Sequence, residues 1–321
     1  MALSETSLIE RYFRSGGAQR PDVALGIGDD AAILSPPAGS DLIATTDTLV
    51  AGVHFLSGAP PAAIGHRALA VNLSDLAAMG ARPAWALLAL TLPEAREAWL
   101  AEFAAGLGAL AREHRVALVG GDTTRGPLCV TVQLLGFAPP GRALRRGGSR
   151  AGDVLFVSGS PGDAAAGLAL EQQRLTVPAA ARDYLRERFL LPSPRVALGE
   201  RLRDYASACI DVSDGLLGDA GKLAQASAVA VEICFEELPI SEELEAALGD
   251  EGARQLALSG GDDYELCFAV APARVPELLA QLPPERWGYT RIGALLPGSG
   301  ARVVRGGTVM EFSHSGYQHF S

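Results

Sequence analysis

PPGRALRRGGSRAG, residues 139 to 152, is dense in proline, glycine and arginine and carries no apolar periodicity. Proline removes a backbone donor and clustered glycines favour turns, so this stretch continues neither a strand nor a helix and reads as a linker. Just upstream, LCVTVQLLGF (128–137) predicts a strand that closes a first domain, residues 1–138. Just downstream, DVLFVSG (153–159) restarts the chain as a short strand opening into a Gly/Pro turn and the small-residue helix AAAGLAL, and this begins a second domain, residues 153–321. Further out, apolar spacing predicts helices over 3–14, 61–79 and 94–114, with strands at 31–34, 41–46, 84–92 and 116–119. Strands at 208–212, 229–235 and 266–270 follow in the second half, with helices between them. Strands alternating with helices on both sides of the linker indicate two α/β domains.

The 321 residues, 48% apolar, are enough for a core in each domain without a disulfide or structural metal. A formal charge of −10 argues against a nucleic-acid or anionic-membrane surface. The four cysteines, Cys129, Cys209, Cys234 and Cys267, sit apart in apolar runs and read as buried thiols. The first residues lack the pattern of a signal peptide and no apolar run is long enough to span a bilayer, so the expected address is the cytoplasm. The only lysine is Lys222, in GDAGKLAQA. A Walker A loop and the strand lysine of protein kinases are thereby excluded, and Lys222 itself reads as a solvent-facing helix position.

Aspartates recur at the ends of apolar segments. GIGDDAAIL (26–34) places Asp29 and Asp30 beside a glycine turn, TTD ends a strand at Asp47, and LVGGDTT puts Asp122 just after one. CIDVSDGLLGD brings Asp211 and Asp214 to the end of another, and NLSDLAAMG seats Asp75 inside an apolar helix. Each alone fits a turn or a helix cap. Together they form a set of carboxylates where functional loops gather, and Asp75 in particular needs a cation or a proton. Oxygen donors without histidine or thiolate point to Mg²⁺ or Mn²⁺, which is usually shared with substrate phosphates.

Seven ordered motifs carry a resemblance: GIGDDAAIL, TTDTLVAGVHF, NLSDLAAMGARP, VGGDTTRG, IDVSDGLLGD, SGGDDYEL and GYQHF. Together they resemble the thiamine-monophosphate kinase family of the aminoimidazole-ribonucleotide synthetase, or PurM-like, superfamily. The resemblance implies a two-domain α/β (α+β) fold. The N-terminal domain would hold a mixed sheet, bind ATP and Mg²⁺ and use its helices to pair in a homodimer, and the C-terminal domain would be α/β. It implies transfer of the ATP γ-phosphoryl group to thiamine monophosphate, giving thiamine diphosphate and ADP. It assigns magnesium to Asp30, Thr45, Thr46, Asp47, Asp75, Asp122 and Asp211, with a further ion on Asp214. Gly121, Asp122, Arg146 and Ser213 would contact ATP, and His54, Asp262 and Tyr317 the thiamine phosphate. Two positions depart from the family: Asp262 stands where Glu is common, and Ala104 where a tyrosine lies near the nucleotide.

No catalytic base is nominated. The attacking group is a phosphate whose second pKa is about 6, already ionised at neutral pH, so catalysis rests on positioning and charge neutralisation. His66 and His114 read as ordinary helix residues, and His314 and His319 flank Tyr317. The rival readings are another ATP-dependent enzyme of the superfamily, and a non-catalytic metal–nucleotide sensor. Selenophosphate synthetases generally need an amino-terminal Cys or selenocysteine and the hydrogenase-maturation dehydratases a carboxy-terminal Cys, and the first cysteine here is Cys129.

Overall fold

The computed structural model describes residues 5–312, which fall into two compact units. The first comprises the chain up to Leu76 together with Ala81–Ala143, and the second comprises Ala77–Gly80 and the chain from Leu144 onward.

In the first unit, helix α1 (Glu5–Tyr12) precedes a small antiparallel pair, β1 (Val23–Leu25) with β2 (Ile33–Leu34). Then come β3 (Asp41–Val50), α2 (Pro61–Ala78), β4 (Arg82–Leu92), α3 (Glu97–Glu113), β5 (Ala117–Arg125) and β6 (Cys129–Ala138). The sheet runs β3-β6-β4-β5, with β4 and β5 parallel and the other neighbours antiparallel. Strand β3 alternates cleanly: Ile43, Thr45, Asp47 and Leu49 are more buried than Leu42, Ala44, Thr46 and Thr48. Helix α2 is buried around most of its circumference, with Leu69, Leu73 and Leu76 fully covered, as a helix apolar on all sides must be. It packs against α3 through paired glycines. A Cβ on Gly65 would collide with the Phe103 carbonyl and one on Gly106 with the Ala62 carbonyl. Gly80, at φ 62°, ends α2 in the left-handed cap geometry that glycine adopts without strain.

The second unit contains β7 (Val154–Ser158), α4 (Asp163–Glu171), α5 (Ala179–Leu190), α6 (Val196–Leu202), β8 (Ala206–Val212) and α7 (Leu216–Ala226). It continues with β9 (Ala230–Cys234), α8 (Glu242–Ser259), β10 (Glu265–Val270), α9 (Val275–Gln281), α10 (Pro284–Trp287), β11 (Tyr289–Leu296), β12 (Gly300–Arg305) and β13 (Thr308–Met310). Its sheet order is β13-β12-β9-β11-β7-β10-β8, antiparallel except for β9 beside β12. Leu216, Ala220, Leu223 and Ala224 of α7 bury against Ile210, Val231, Ile233 and Val303 of the strands.

Helix positions follow the apolar spacing to within a few residues. Two strands run further than expected: β3 continues past Asp47 to Val50, and β5 takes in Asp122 and ends at Arg125. These two aspartates therefore sit within strands. The hairpin region β11–β13 was not anticipated. Cys209 and Cys267 are buried thiols as expected, whereas Cys129 and Cys234 are half-exposed.

Candidate active site

In the first unit, the loop between β1 and β2 carries Gly28, Asp29 and Asp30. Gly28 has φ 126°, and a Cβ there would run into the Arg14 guanidinium. The Asp30 amide donates to Asp29 Oδ1 at 2.9 Å, so the loop is held in part by one of its own carboxylates. Gly121, at φ 146°, lies opposite Leu88 in the parallel β4–β5 ladder, and any side chain would strike the Leu88 carbonyl. Glycine is the residue that fits there. Asp29, Asp30, Thr46, Gly121 and Asp122 line one cavity of about 950 Å³, with Arg14 at its wall.

A second grouping in this unit is the pair Asp47 and Asp75. Asp47 projects from the more buried face of β3 and Asp75 belongs to α2. The Thr45 hydroxyl donates a short hydrogen bond to Asp75 Oδ2. Burial, the Asp75 charge and a hydrogen bond to Asp75 push the Asp47 carboxyl up to about 6. Two carboxylates in contact must share a proton or take a cation. With a hydroxyl beside them, the donors are all oxygen, the set a hard dication prefers. Thr46 lies on the other face of β3, and its hydroxyl donates to the Val132 carbonyl at 3.2 Å. Among the described residues no group of three or more His, Cys, Asp or Glu side chains could hold a metal. Mg²⁺ usually takes only one or two carboxylates beside phosphate and water, so the Asp47–Asp75 pair with Thr45 fits it.

His54, in the turn after β3, accepts the Val50 amide on Nδ1 at 3.0 Å, which places the ring proton on Nε2. Ala104 lies on α3, half-exposed.

In the second unit, Asp211 is buried near the end of β8, opposite Leu266 of β10. Ser213, Asp214 and Gly215 form the loop into α7, and their three amides all donate to Asp219 Oδ2, at 3.0, 3.0 and 3.2 Å. Asp219 is 1% exposed. Lys222 is not simply solvent-facing: its Nζ bridges Asp214 Oδ2 at 2.6 Å and Asp219 Oδ1 at 2.7 Å. Burial alone would lower the Lys222 pKa, but the two carboxylates outweigh it and hold it above the ordinary lysine value. Asp262 is brought beside this loop, its amide donating to the Ser213 carbonyl at 2.8 Å. Arg146 is exposed, and its carbonyl accepts from Ser227 Oγ at 3.3 Å. Tyr317, with His314 and His319, lies outside the described residues.

The loop bearing Asp262 is strained and strongly anchored. Asp262 and Tyr264 have φ of 71° and 52°, a left-handed conformation costly for side chains of their size. The Asp263 carboxylate accepts the Gly162 amide at 2.9 Å. Fully buried Glu265 accepts from Nε and Nη2 of Arg195 at 2.6 Å each, from Arg188 at 2.7 Å and from Ser158 at 2.5 Å. Burial would push the Glu265 carboxyl up, but the two arginines hold it below its ordinary value. Glu265, Arg188, Arg195, Asp219 and Arg14 were not singled out in the sequence. Only Asp219 carries a local signal there, an acidic residue in the first turn of a helix.

Residues 28–138 match the N-terminal domain model of AIR synthase related proteins, and 150–305 match the C-terminal domain model. Thiamine-monophosphate kinase of Escherichia coli K12 is 48% identical over 323 aligned positions, covering 100% of this chain and 99% of that protein. A crystal structure of thiamine-monophosphate kinase from Stenotrophomonas maltophilia superposes with TM-score 0.86 at 49% identity, over 94% of this chain and 97% of that one. The structure of AaThiL complexed with AMPPCP and TMP superposes with TM-score 0.77 at 36% identity, over 92% of each chain.

Proposed function

The chain belongs to the thiamine-monophosphate kinase family, and from that membership we propose that it transfers the ATP γ-phosphoryl group to thiamine monophosphate, forming thiamine diphosphate and ADP. In this structure the reading is supported by Asp47 and Asp75, neighbouring carboxylates that with the Thr45 hydroxyl make an all-oxygen donor set suited to Mg²⁺.

An oxygen of the acceptor phosphate attacks the γ-phosphorus in line, the bond from that phosphorus to the β–γ bridging oxygen breaks, and ADP departs with the electron pair. The acceptor is ionised at neutral pH, so no side chain need remove a proton. In the first unit Thr45, Asp47 and Asp75 would hold Mg²⁺ on one face of β3, and Asp30, Thr46 and Asp122 would hold it at the cavity they line on the other; in the second unit Asp211 and Asp214 would serve as Mg²⁺ ligands. Bound there, Mg²⁺ supplies neutralisation of the phosphate oxygens. Gly121, a glycine because the Leu88 backbone fills its Cβ position, would meet the nucleotide through its own backbone beside Asp122. In the second unit Ser213 and Arg146 are assigned to nucleotide binding, the guanidinium as a fixed positive charge in a chain with one lysine. Acceptor contacts are assigned to His54 in the first unit, to Asp262 in the second, from a loop whose conformation is set before substrate arrives, and to Tyr317. We assign ATP and magnesium binding and homodimer pairing to the domain at residues 1–138, linker status to 139–152 and a second, C-terminal PurM-like α/β domain to 153–321. No described helix is long and apolar enough to cross a membrane, and we place the enzyme in the cytoplasm.

The test is a chromatographic assay of purified protein with ATP, Mg²⁺ and thiamine monophosphate, with EDTA and no-acceptor controls. Equimolar, EDTA-sensitive ADP and thiamine diphosphate is the expected result. ADP without thiamine diphosphate would move the acceptor elsewhere in the superfamily. Nucleotide binding with no ADP would make the chain a sensor.

A further inference from the structure

Asp214 already has a cation. Lys222 Nζ lies 2.6 Å from its Oδ2, and the same ammonium reaches Asp219 Oδ1 at 2.7 Å. The other oxygen of Asp219 gathers the three amides of Ser213, Asp214 and Gly215. Loop backbone, Asp219, Lys222 and the Asp214 side chain thus close one ring of polar contacts at the start of α7. The geometry is rigid at one end and loose at the other. Asp219 is 1% exposed, whereas the Lys222 and Asp214 side chains are 43% and 38% exposed. An ammonium on a flexible four-carbon stem can leave such an exposed carboxylate without unfolding anything.

We propose that Lys222 is a positioning residue that acts as a tethered cation on Asp214. It holds that carboxylate in place while no metal is bound, and a divalent cation must displace it to use the same oxygen. This rests on the reading of Asp214 as a ligand to a further ion. Like charges on one carboxylate repel, so occupancy by ammonium and by dication is mutually exclusive at Oδ2. The consequence is a threshold at Oδ2: a dication takes that oxygen only when its concentration, or the phosphates accompanying it, is enough to displace the lysine. Asp219 keeps the loop in register throughout, because its amide contacts do not involve Lys222.

The probe is Mn²⁺, titrated into nucleotide-free full-length protein and followed by the electron paramagnetic resonance signal of the free ion. Lys222→Met keeps the stem and removes the charge, and should tighten Mn²⁺ binding about fivefold, equivalent to the ~1 kcal/mol of an exposed ion pair. Lys222→Arg should restore the original affinity. Asp214→Asn should weaken Mn²⁺ binding, and in its presence Lys222→Met should have no effect. Unchanged binding in Lys222→Met, with Asp214→Asn still weakening it, would overturn the tethered-cation role alone. If Asp214→Asn leaves binding unchanged, Asp214 is no ligand, and both the proposal and the reading beneath it fall. Thermal midpoints of all variants check folding. A purely structural role for Lys222 would lower the midpoint of Lys222→Met without tightening Mn²⁺.

Discussion

Asp75 sits beside a second carboxylate, Asp47, and accepts the Thr45 hydroxyl. The Asp47 carboxyl beside it is pushed up to about 6, first by burial and then by the Asp75 charge. Asp75→Asn removes that repulsion but also a ligand. We expect turnover to fall by about two orders of magnitude or more, the scale of losing an electrostatic contact to the transferring group. The thermal midpoint in EDTA should stay level or rise, and stabilisation by Mg²⁺ with a non-hydrolysable ATP analogue should shrink. Scanning fluorimetry with and without the analogue, beside a turnover assay, reads both. Near-normal turnover would take Asp75 out of the metal site. The sequence made this residue legible because a carboxylate amid Leu73, Leu76 and Ala77 has no ordinary explanation. Glu265 was not legible in the same way. Its partners Arg188 and Arg195 are 77 and 70 residues distant, and only tertiary structure brings two guanidinium groups to one buried carboxylate.

At the scale of elements, α2 and α3 approach closely along a seam where Gly65 faces the Phe103 carbonyl and Gly106 the Ala62 carbonyl. Gly106→Ala would drive a methyl into the Ala62 carbonyl and force the helices apart. Overpacking of this kind costs ~1–3 kcal/mol. The expected result is a midpoint lowered by several degrees. A midpoint equal to that of the parent protein would show that the seam yields more easily than its spacing implies. The helices themselves were readable from apolar periodicity and from Pro61 and Gly80 as punctuation. Strand ends were less so. Asp47 and Asp122 read as terminators because a charge usually leaves a strand. Yet β3 pairs with β6 along its whole length, from Asp41 opposite Ala138 to Val50 opposite Cys129. Cross-strand pairing outweighs local polarity there. The β12–β13 hairpin did carry a signal, the Gly306–Gly307 turn between β-branched runs, with both residues at positive φ. Its short, exposed strands lack the apolar alternation that makes a strand stand out.

For the molecule as a whole, the stability of an acidic chain at neutral pH depends on where its charges are buried. Asp163 opens α4, fully covered, and accepts from Ser241 at 2.6 Å and Tyr184 at 2.9 Å. Burial pushes its carboxyl up to about 6, and the hydroxyls and Arg188, 3.9 Å away, only partly oppose this. The folded pKa therefore lies above the unfolded value of 3.8. Between these values the folded chain holds a proton that the unfolded chain has released, so stability falls as pH rises. The contribution is fully present below 3.8 and is lost by the time pH passes about 6. A shift of this size corresponds to roughly 3 kcal/mol. Glu265 runs the opposite way: its depressed pKa favours the folded state above the unfolded pKa, and that contribution is lost as pH falls through the folded value. A raw pH profile mixes the two, so the informative quantity is the difference between Asp163→Asn and the parent chain. Asparagine mimics the protonated carboxyl and does not titrate. Relative to the parent, Asp163→Asn should thus be more stable at pH 7.5 than at pH 4.5, by roughly 3 °C in thermal midpoint. Equal differences at the two pH values would mean that Asp163 stays ionised throughout, held so by Arg188, Ser241 and Tyr184 together.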